Sequence, residues 1–136
     1  MFAKQINLDM ELTRAEEQIM QILWRLEKAF VKEIIEYMDN PKPAYNTVST
    51  IIRILEKKHF VSYISFGKTH QYYPLVQRSE YKSSKLKTMV EGYFNQSYKN
   101  LVSFFSKQEN LSLEEMQEIK QLMEEQITKL KEKKES

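Results

Sequence analysis

Long stretches of this sequence contain no residue that breaks a helix, because its 136 residues include only two glycines and three prolines. Gly and Pro are the strongest local signals for turns, so the chain is predicted to be mainly helical. Pro41 and Pro43 lie close together, and Gly67 separates two runs of β-branched and aromatic residues. We therefore expect the main turns of the N-terminal half at these two places.

The composition is that of a folded protein without covalent cross-links. Hydrophobic residues make up 41% of the chain and charged residues 29%, and there is no cysteine. The fold must therefore rest on packing, without disulfides or thiolate metal sites. No run of 18 apolar residues and no signal-peptide pattern is present. We expect a cytoplasmic protein that does not insert into membranes.

The net charge of +2 conceals an uneven distribution. Residues 41–90 contain nine Lys and Arg but two Asp and Glu, whereas residues 1–40 contain five basic and eight acidic residues. A basic block of this kind suits a polyanionic partner, although it is more often a solvated surface. The charge alone therefore leaves the question of nucleic-acid binding open.

Two helices are predicted before the prolines. Thr13 and Glu16 have the spacing of a capping box, followed by apolar residues at helical spacing up to about Glu27. Trp24 lies beside this apolar stripe and is interpreted as a packing residue. Residues 29–31 can form a brief strand, and apolar residues between 34 and 38 mark a second, short helix that ends before a turn at 39–44.

A third helix is predicted from Asn46 to Lys58, and its exposed face is unusual. One face is apolar, as an amphipathic helix requires. The other face carries Asn46, Thr50, Arg53 and Lys57 at i, i+4, i+7 and i+11, with Thr47 and Ser49 on its flanks and no acid along the stripe. Short polar groups and cations in this order suit the DNA major groove. The alternative is that the small polar residues merely form a polar first turn.

Residues 60–65 and 70–75 flank Gly67 and are predicted to form a β-hairpin that ends at Pro74. Lys68 lies at its tip, where a hairpin beside DNA can place a cation against a phosphate. His59 and His70 have no partners at metal-ligand spacing, so no metal site or other cofactor is predicted. The order of helices, short strand and hairpin is that of a winged helix-turn-helix. The predicted fold class is mainly α with a small β-hairpin wing.

The C-terminal half is predicted to be helical, with one long helix over 77–106 and a second helix that begins with a capping box at Ser112 and Glu115. We expect a winged-helix domain over 1–76 and a helical dimerisation domain over 77–136. Two helices alone bury too little surface to be stable, so a dimer is favoured over an intrachain hairpin closed by the 106–111 loop. A third alternative is a pocket for a small ligand among the aromatic residues. The predicted dimerisation residues are Leu86, Met89, Val90, Tyr93, Phe94, Leu101, Phe104, Phe105, Met116, Ile119, Met123 and Ile127.

The segment from Thr47 to Lys58, followed by Phe60 and by Gln71-Tyr72-Tyr73, resembles the penicillinase-repressor (BlaI/MecI) family. The pair Leu23-Trp24 and the segment Leu12 to Glu16 are similar to that family as well. The resemblance covers about residues 8–130. It implies a winged-helix head that reads an operator, a C-terminal pair of helices that dimerises, and inactivation when a membrane sensor protease cuts in the dimerisation region.

The sequence departs from the family pattern in three places. His59 stands where many members have Gly, and it can occupy a left-handed cap at some cost. Ala44-Tyr45 replaces a common Ser-Pro start, and Asn46 can act as an alternative N-cap. The bond that aligns with the family's cleavage position lies between Phe104 and Phe105, with Phe104 where the family usually has Asn. The paired C-terminal cysteines of a copper-responsive branch are absent, which excludes that metal-sensing mode.

The sequence therefore predicts a repressor that binds double-stranded operator DNA as a homodimer, with a membrane sensor protease as a further partner. The alternative is a winged-helix module that binds another protein without reading DNA. No phosphate loop, nucleophile elbow or catalytic triad spacing is present, so an enzyme is not predicted. The predicted DNA-binding residues are Lys42, Asn46, Thr47, Ser49, Thr50, Arg53, Lys57 and Lys68.

Overall fold

The computed structural model describes residues 10–108 and 111–135. The first nine residues of the predicted N-terminal domain, the middle of the predicted 106–111 loop and the last residue of the predicted C-terminal domain lie outside the described residues. The elements in chain order are α1 (Arg14–Leu26), β1 (Ala29–Phe30), α2 (Val31–Glu36), α3 (Tyr45–Lys57), β2 (Val61–Phe66), β3 (Thr69–Pro74), α4 (Arg78–Tyr93), α5 (Tyr98–Ser106) and α6 (Leu113–Glu135). The mainly helical fold with a small hairpin is confirmed.

Helix α1 begins at the predicted capping box. The amide of Glu16 donates to Oγ1 of Thr13 at 3.1 Å, and the amide of Thr13 donates to Oε1 of Glu16 at 3.0 Å. These two bonds satisfy backbone donors that a helix start otherwise leaves unpaired. Ser112 and Glu115 form the same reciprocal pair before α6, at 3.1 and 3.2 Å.

The three strands form one antiparallel sheet in the order β1-β3-β2. Tyr72 of β3 lies opposite Ala29 on one side and Tyr63 on the other. Gly67 closes the hairpin with φ +63°, a conformation that costs little without a Cβ. The hairpin therefore forms as predicted, and the pairing with β1 fixes it to the segment between α1 and α2.

The core of the N-terminal unit lies between the first three helices and the sheet. Each helix contributes the apolar face that its periodicity predicts, and Phe60 and Val61 enter the core at the start of the hairpin. Full burial of such side chains stabilises a fold by about 1.5–3 kcal/mol each. The fully buried members are Ile19, Met20, Leu23, Ala29, Ile34, Val48, Ile52, Leu55, Phe60 and Val61.

The prediction of one long helix over 77–106 is wrong. The structure has two helices, α4 and α5, because Asn95 and Gln96 take positive φ values of 52° and 61°. Asn is one of the residues that tolerate the left-handed backbone conformation. Ser97 then caps α5 by accepting the amide of Asn100 at 3.1 Å, so a polar Asn-Gln-Ser sequence ends one helix and starts another.

The chain divides into two compact units between Leu86 and Lys87, within α4. The N-terminal unit holds α1 to α3, the sheet and the first turns of α4, and the C-terminal unit holds the rest of α4 with α5 and α6. Within the described part of the chain, no helix has the length and apolar character needed to cross a membrane.

Candidate nucleic-acid interface

Helix α3 presents the predicted polar stripe on an exposed face. Asn46, Thr50, Arg53 and Lys57 are all exposed, while Val48, Ile52 and Leu55 on the opposite face are fully buried. The 3.6-residue period forces this separation because residues at i, i+4, i+7 and i+11 share one side of a helix. The stripe is thus held outward by the burial of the opposite side.

The start of α3 differs from the expected one. The N-cap is Ala44, whose side chain makes no capping hydrogen bond, and Asn46 lies inside the first turn. The alternative of Asn46 as N-cap is therefore wrong. Because it is not used as a cap, the Asn46 side chain stays exposed on the helix face. Thr47 is exposed beside it.

The other end of α3 confirms the role considered for His59. This residue has φ +66° and follows the helix, where its amide donates to the carbonyl of Glu56 at 3.0 Å. A left-handed residue lets the chain leave the helix sharply. The next residue, Phe60, can then enter the core and start the hairpin.

Two hydrogen bonds fix side chains along the stripe. The hydroxyl of Thr50 donates to the carbonyl of Asn46 at 2.9 Å, so its lone pairs remain available as acceptors. Nη2 of Arg53 donates to Oγ of Ser49 at 3.3 Å. Ser49 is only 8% exposed. Its position suits the anchoring of Arg53 and does not suit direct contact with a base.

The remaining predicted cations lie on different elements. Lys42 is exposed in the turn before α3. Its ammonium donates to the carbonyl of Glu36, the last residue of α2, at 3.0 Å, and to that of Met38, which follows the helix. Lys68 is exposed at the tip of the hairpin, next to Gly67. Lys42 is thus partly engaged by the protein, whereas Lys68 extends from a two-residue turn.

Sequence reasoning missed the ion pair that fixes the C-terminal end of α3. Nζ of Lys58 lies 2.7 Å from Oε1 of the buried Glu16. Burial alone would raise the pKa of Glu16, but hydrogen bonds from Lys58 and from the Thr13 amide outweigh it and hold that pKa below its usual value. Lys58 and Glu16 are 42 residues apart in the sequence, so only the tertiary structure shows that the Lys58 ammonium stabilises the fold.

A short helix, a turn and an exposed polar-basic helix beside a β-hairpin define a winged helix-turn-helix protein. The family model described as "Penicillinase repressor" matches residues 12–125. The chain belongs to this family, whose members are transcriptional repressors and not enzymes. The predicted family resemblance is confirmed.

Individual relatives agree with the family match. The methicillin resistance regulatory protein MecI of Staphylococcus aureus is 30% identical over 118 residues, which cover 86% of this chain and 96% of that protein. The penicillinase repressor of Bacillus licheniformis is 24% identical over 123 residues, covering 90% and 96%. That of Staphylococcus aureus is 25% identical over 118 residues, covering 86% and 94%.

Proposed function

We propose that this repressor binds DNA sequence-specifically, as a homodimer on a palindromic operator. The observation that carries the proposal is the exposed stripe of Asn46, Thr50, Arg53 and Lys57, which has no acid along it and lies on a helix with a buried opposite face. A duplex carries about one negative charge per 1.7 Å of its axis. A stripe that carries cations and no acid is suited to approach such a surface, whereas an acidic stripe would be repelled.

We assign different roles to the side chains of the interface. Asn46, Thr47 and Thr50 read base edges, since they are exposed and lie in the first turns of α3. Lys42, Arg53, Lys57 and Lys68 hold the phosphate backbone. Ser49, one of the predicted DNA-binding residues, is assigned instead to the positioning of Arg53, because it is buried and accepts a hydrogen bond from the Arg53 guanidinium.

The proposed dimer rests on the apolar side of α6. No residue within Leu113–Glu135, all of which the structure describes, is buried in the single chain. Met116, Met123 and Ile127 share one side of that helix and are 36%, 54% and 47% exposed. An intrachain hairpin would cover this side, so its exposure favours a second copy of the chain as the partner.

The proposed dimerisation residues of α4 and α5 have different environments. Leu86, Met89, Tyr93 and Phe104 are exposed, whereas Phe94, Leu101 and Phe105 are half-buried. Val90 is only 2% exposed in the single chain, so it supports the fold of its own chain and is not free to contact a partner. The rings of Phe94 and Phe104 pack with centroids 5.6 Å apart.

We further propose that a membrane sensor protease inactivates the repressor by cutting between Phe104 and Phe105. The bond between Phe104 and Phe105 lies inside α5, and the carbonyl of Phe104 accepts the amide of Lys107 at 3.3 Å. Proteases bind extended backbone, so cleavage here requires the last turn of α5 to open. Exposed ends of helices open at low cost compared with core elements, which is compatible with cleavage at this bond.

The proposal is tested by selecting bound sequences from a random duplex pool, followed by the stoichiometry on the winning sequence. We expect an inverted repeat with half-sites about one turn, roughly 10 bp, or a multiple apart, bound by two chains. Affinity should fall steeply with salt, because each phosphate contact contributes a slope of about −0.9 in log affinity against log salt. Enrichment of no sequence, with salt-independent binding to a protein partner, would overturn the proposal.

A further inference from the structure

A cleft of about 670 Å³ lies between α3 and the sheet of the N-terminal unit. Its lining includes Tyr45 and Arg53 of α3, Tyr63, His70 and Tyr72 of the hairpin, and Phe30 of β1. Cavities that hold small organic molecules typically measure about 300–1,000 Å³ and combine apolar walls with a few polar groups. The size and lining of this cleft fall within that description.

The wall on the hairpin side is a cluster of aromatic rings. Tyr63 lies opposite Tyr72, and the next pair on the same face is Ser65 and His70. Side chains of paired and alternate residues share one face of a sheet. The Tyr63 and His70 rings are stacked, 3.9 Å apart and 5° from parallel, and Tyr72 lies 5.7 Å from Tyr63. Tyr63 is the exposed ring of this cluster, at 36%, whereas His70 is half-buried and Tyr72 is buried.

The polar groups of the cleft carry mixed charge. Lys32, Arg53 and Lys68 line it together with Glu33 and Glu56. The Glu33 carboxylate already accepts the Phe30 amide at 2.8 Å, and Arg53 is held by Ser49 at 3.3 Å. A guanidinium fixed in this way is ready for a carboxylate, which it binds through paired hydrogen bonds. Glu33 and Glu56 partly offset the three cations, so the lining suits a ligand with a single negative charge.

We propose that this cleft binds a small planar aromatic carboxylate, with its ring on the Tyr63 side and its carboxylate on Arg53. Binding would withdraw Arg53 from DNA, so the molecule would act as an inducer that competes with the operator. The inducer role rests on the proposed function. The binding itself does not, because it concerns the chain without DNA.

The first experiment measures the binding of 2-naphthoate to the full chain without DNA, by isothermal titration calorimetry and by shifts of the aromatic NMR signals. We expect saturable binding that shifts the Tyr63 and His70 rings. The amide isostere 2-naphthamide should bind about tenfold more weakly, because it lacks the charge that strengthens hydrogen bonds to Arg53. Equal binding of acid and amide would contradict the role of Arg53.

Variants then separate the cleft from the rest of the surface. Arg53→Gln and Tyr63→Thr should each weaken 2-naphthoate binding about tenfold, and since both side chains are exposed, far-UV circular dichroism should stay unchanged. Lys57→Gln is the matched control, because Lys57 lies on the same helix and does not line the cleft. It should leave 2-naphthoate binding intact. Loss of binding in the control alone, or unchanged binding in both cleft variants, would overturn the proposal.

A second arm adds duplex DNA at low salt. We expect 2-naphthoate to release the DNA at concentrations that saturate the cleft, and to do so less effectively with Tyr63→Thr. If the chain binds 2-naphthoate but no DNA, the proposed function fails and the cleft stands. If it binds DNA but not 2-naphthoate, the inference fails and the proposed function stands.

Discussion

Nε1 of Trp24 donates a 2.7 Å hydrogen bond to the backbone carbonyl of Val76, 52 residues further along the chain. Trp24 lies in α1 and Val76 follows the hairpin, so this bond ties the two ends of the N-terminal unit together. The Tyr81 ring packs 5.5 Å from the Trp24 ring, and its hydroxyl donates to Glu17 at 3.1 Å. The first turn of α4 is thereby fixed to α1.

Replacement of Trp24 by Phe should lower the free energy of unfolding by about 1–3 kcal/mol. The ring face is largely kept, but the carbonyl of the buried Val76 loses its donor, and an unsatisfied polar group costs about that much. Urea unfolding followed by circular dichroism measures the loss, since Trp24 is the one tryptophan. Tyr37→Phe is the control, because Tyr37 is exposed and should change stability by less than about 0.5 kcal/mol. A loss as small as that of the control would show that water replaces the donor.

Stability should fall as the pH drops below about 4.5, and Glu16 should account for part of the fall. A carboxyl whose pKa is lower in the folded state stabilises the fold above its unfolded pKa, and that contribution is lost as the pH falls through the folded pKa. The measurement is the urea midpoint between pH 7 and pH 3.5. Glu16→Gln should be less stable at pH 7 and show a weaker dependence in this window. An unchanged dependence would assign the acid sensitivity to other carboxyls.

Thr50→Ala and Lys68→Ala should affect DNA binding in different ways. Loss of the Thr50 hydroxyl should relax specificity at one operator position by about 1–3 kcal/mol, because that side chain is assigned to a base. Lys68→Ala should weaken binding to all sequences alike and reduce the salt slope by about one unit, because a phosphate contact carries no sequence information. Binding titrations on the operator and on single-base variants at several salt concentrations distinguish the two. Equal losses on every sequence for Thr50→Ala would contradict its assignment.

Ile127→Lys should convert the proposed dimer to a monomer. This residue is 47% exposed in the single chain, so the substitution costs the monomer little, but a lysine in an apolar interface must be desolvated. Sedimentation equilibrium measures the change, which should be accompanied by weaker operator binding. Gln121→Lys adds the same charge to the opposite side of α6 and should leave the dimer intact. If both variants stay dimeric, α6 does not form the interface.

The sequence by itself was sufficient to predict those elements that depend on neighbouring residues. Both capping boxes lie where Thr13 and Ser112 predict them, because their hydrogen bonds join residues three apart. The exposed stripe of α3 likewise follows from helical periodicity. The hairpin follows from Gly67 between two strand-forming runs. In each case a few neighbouring residues contain all the interactions that decide the structure.

Only the tertiary structure decided the features that depend on residues far apart in the chain. Ser49 has the sequence pattern of a groove-facing residue, yet it is buried and holds Arg53. Lys58 continues the basic run of α3, but it pairs with Glu16 across 42 residues. The aromatic cleft likewise joins α3, β1 and the hairpin. Side-chain periodicity specifies which face of an element is apolar, whereas the environment of a polar side chain depends on which distant elements pack beside it.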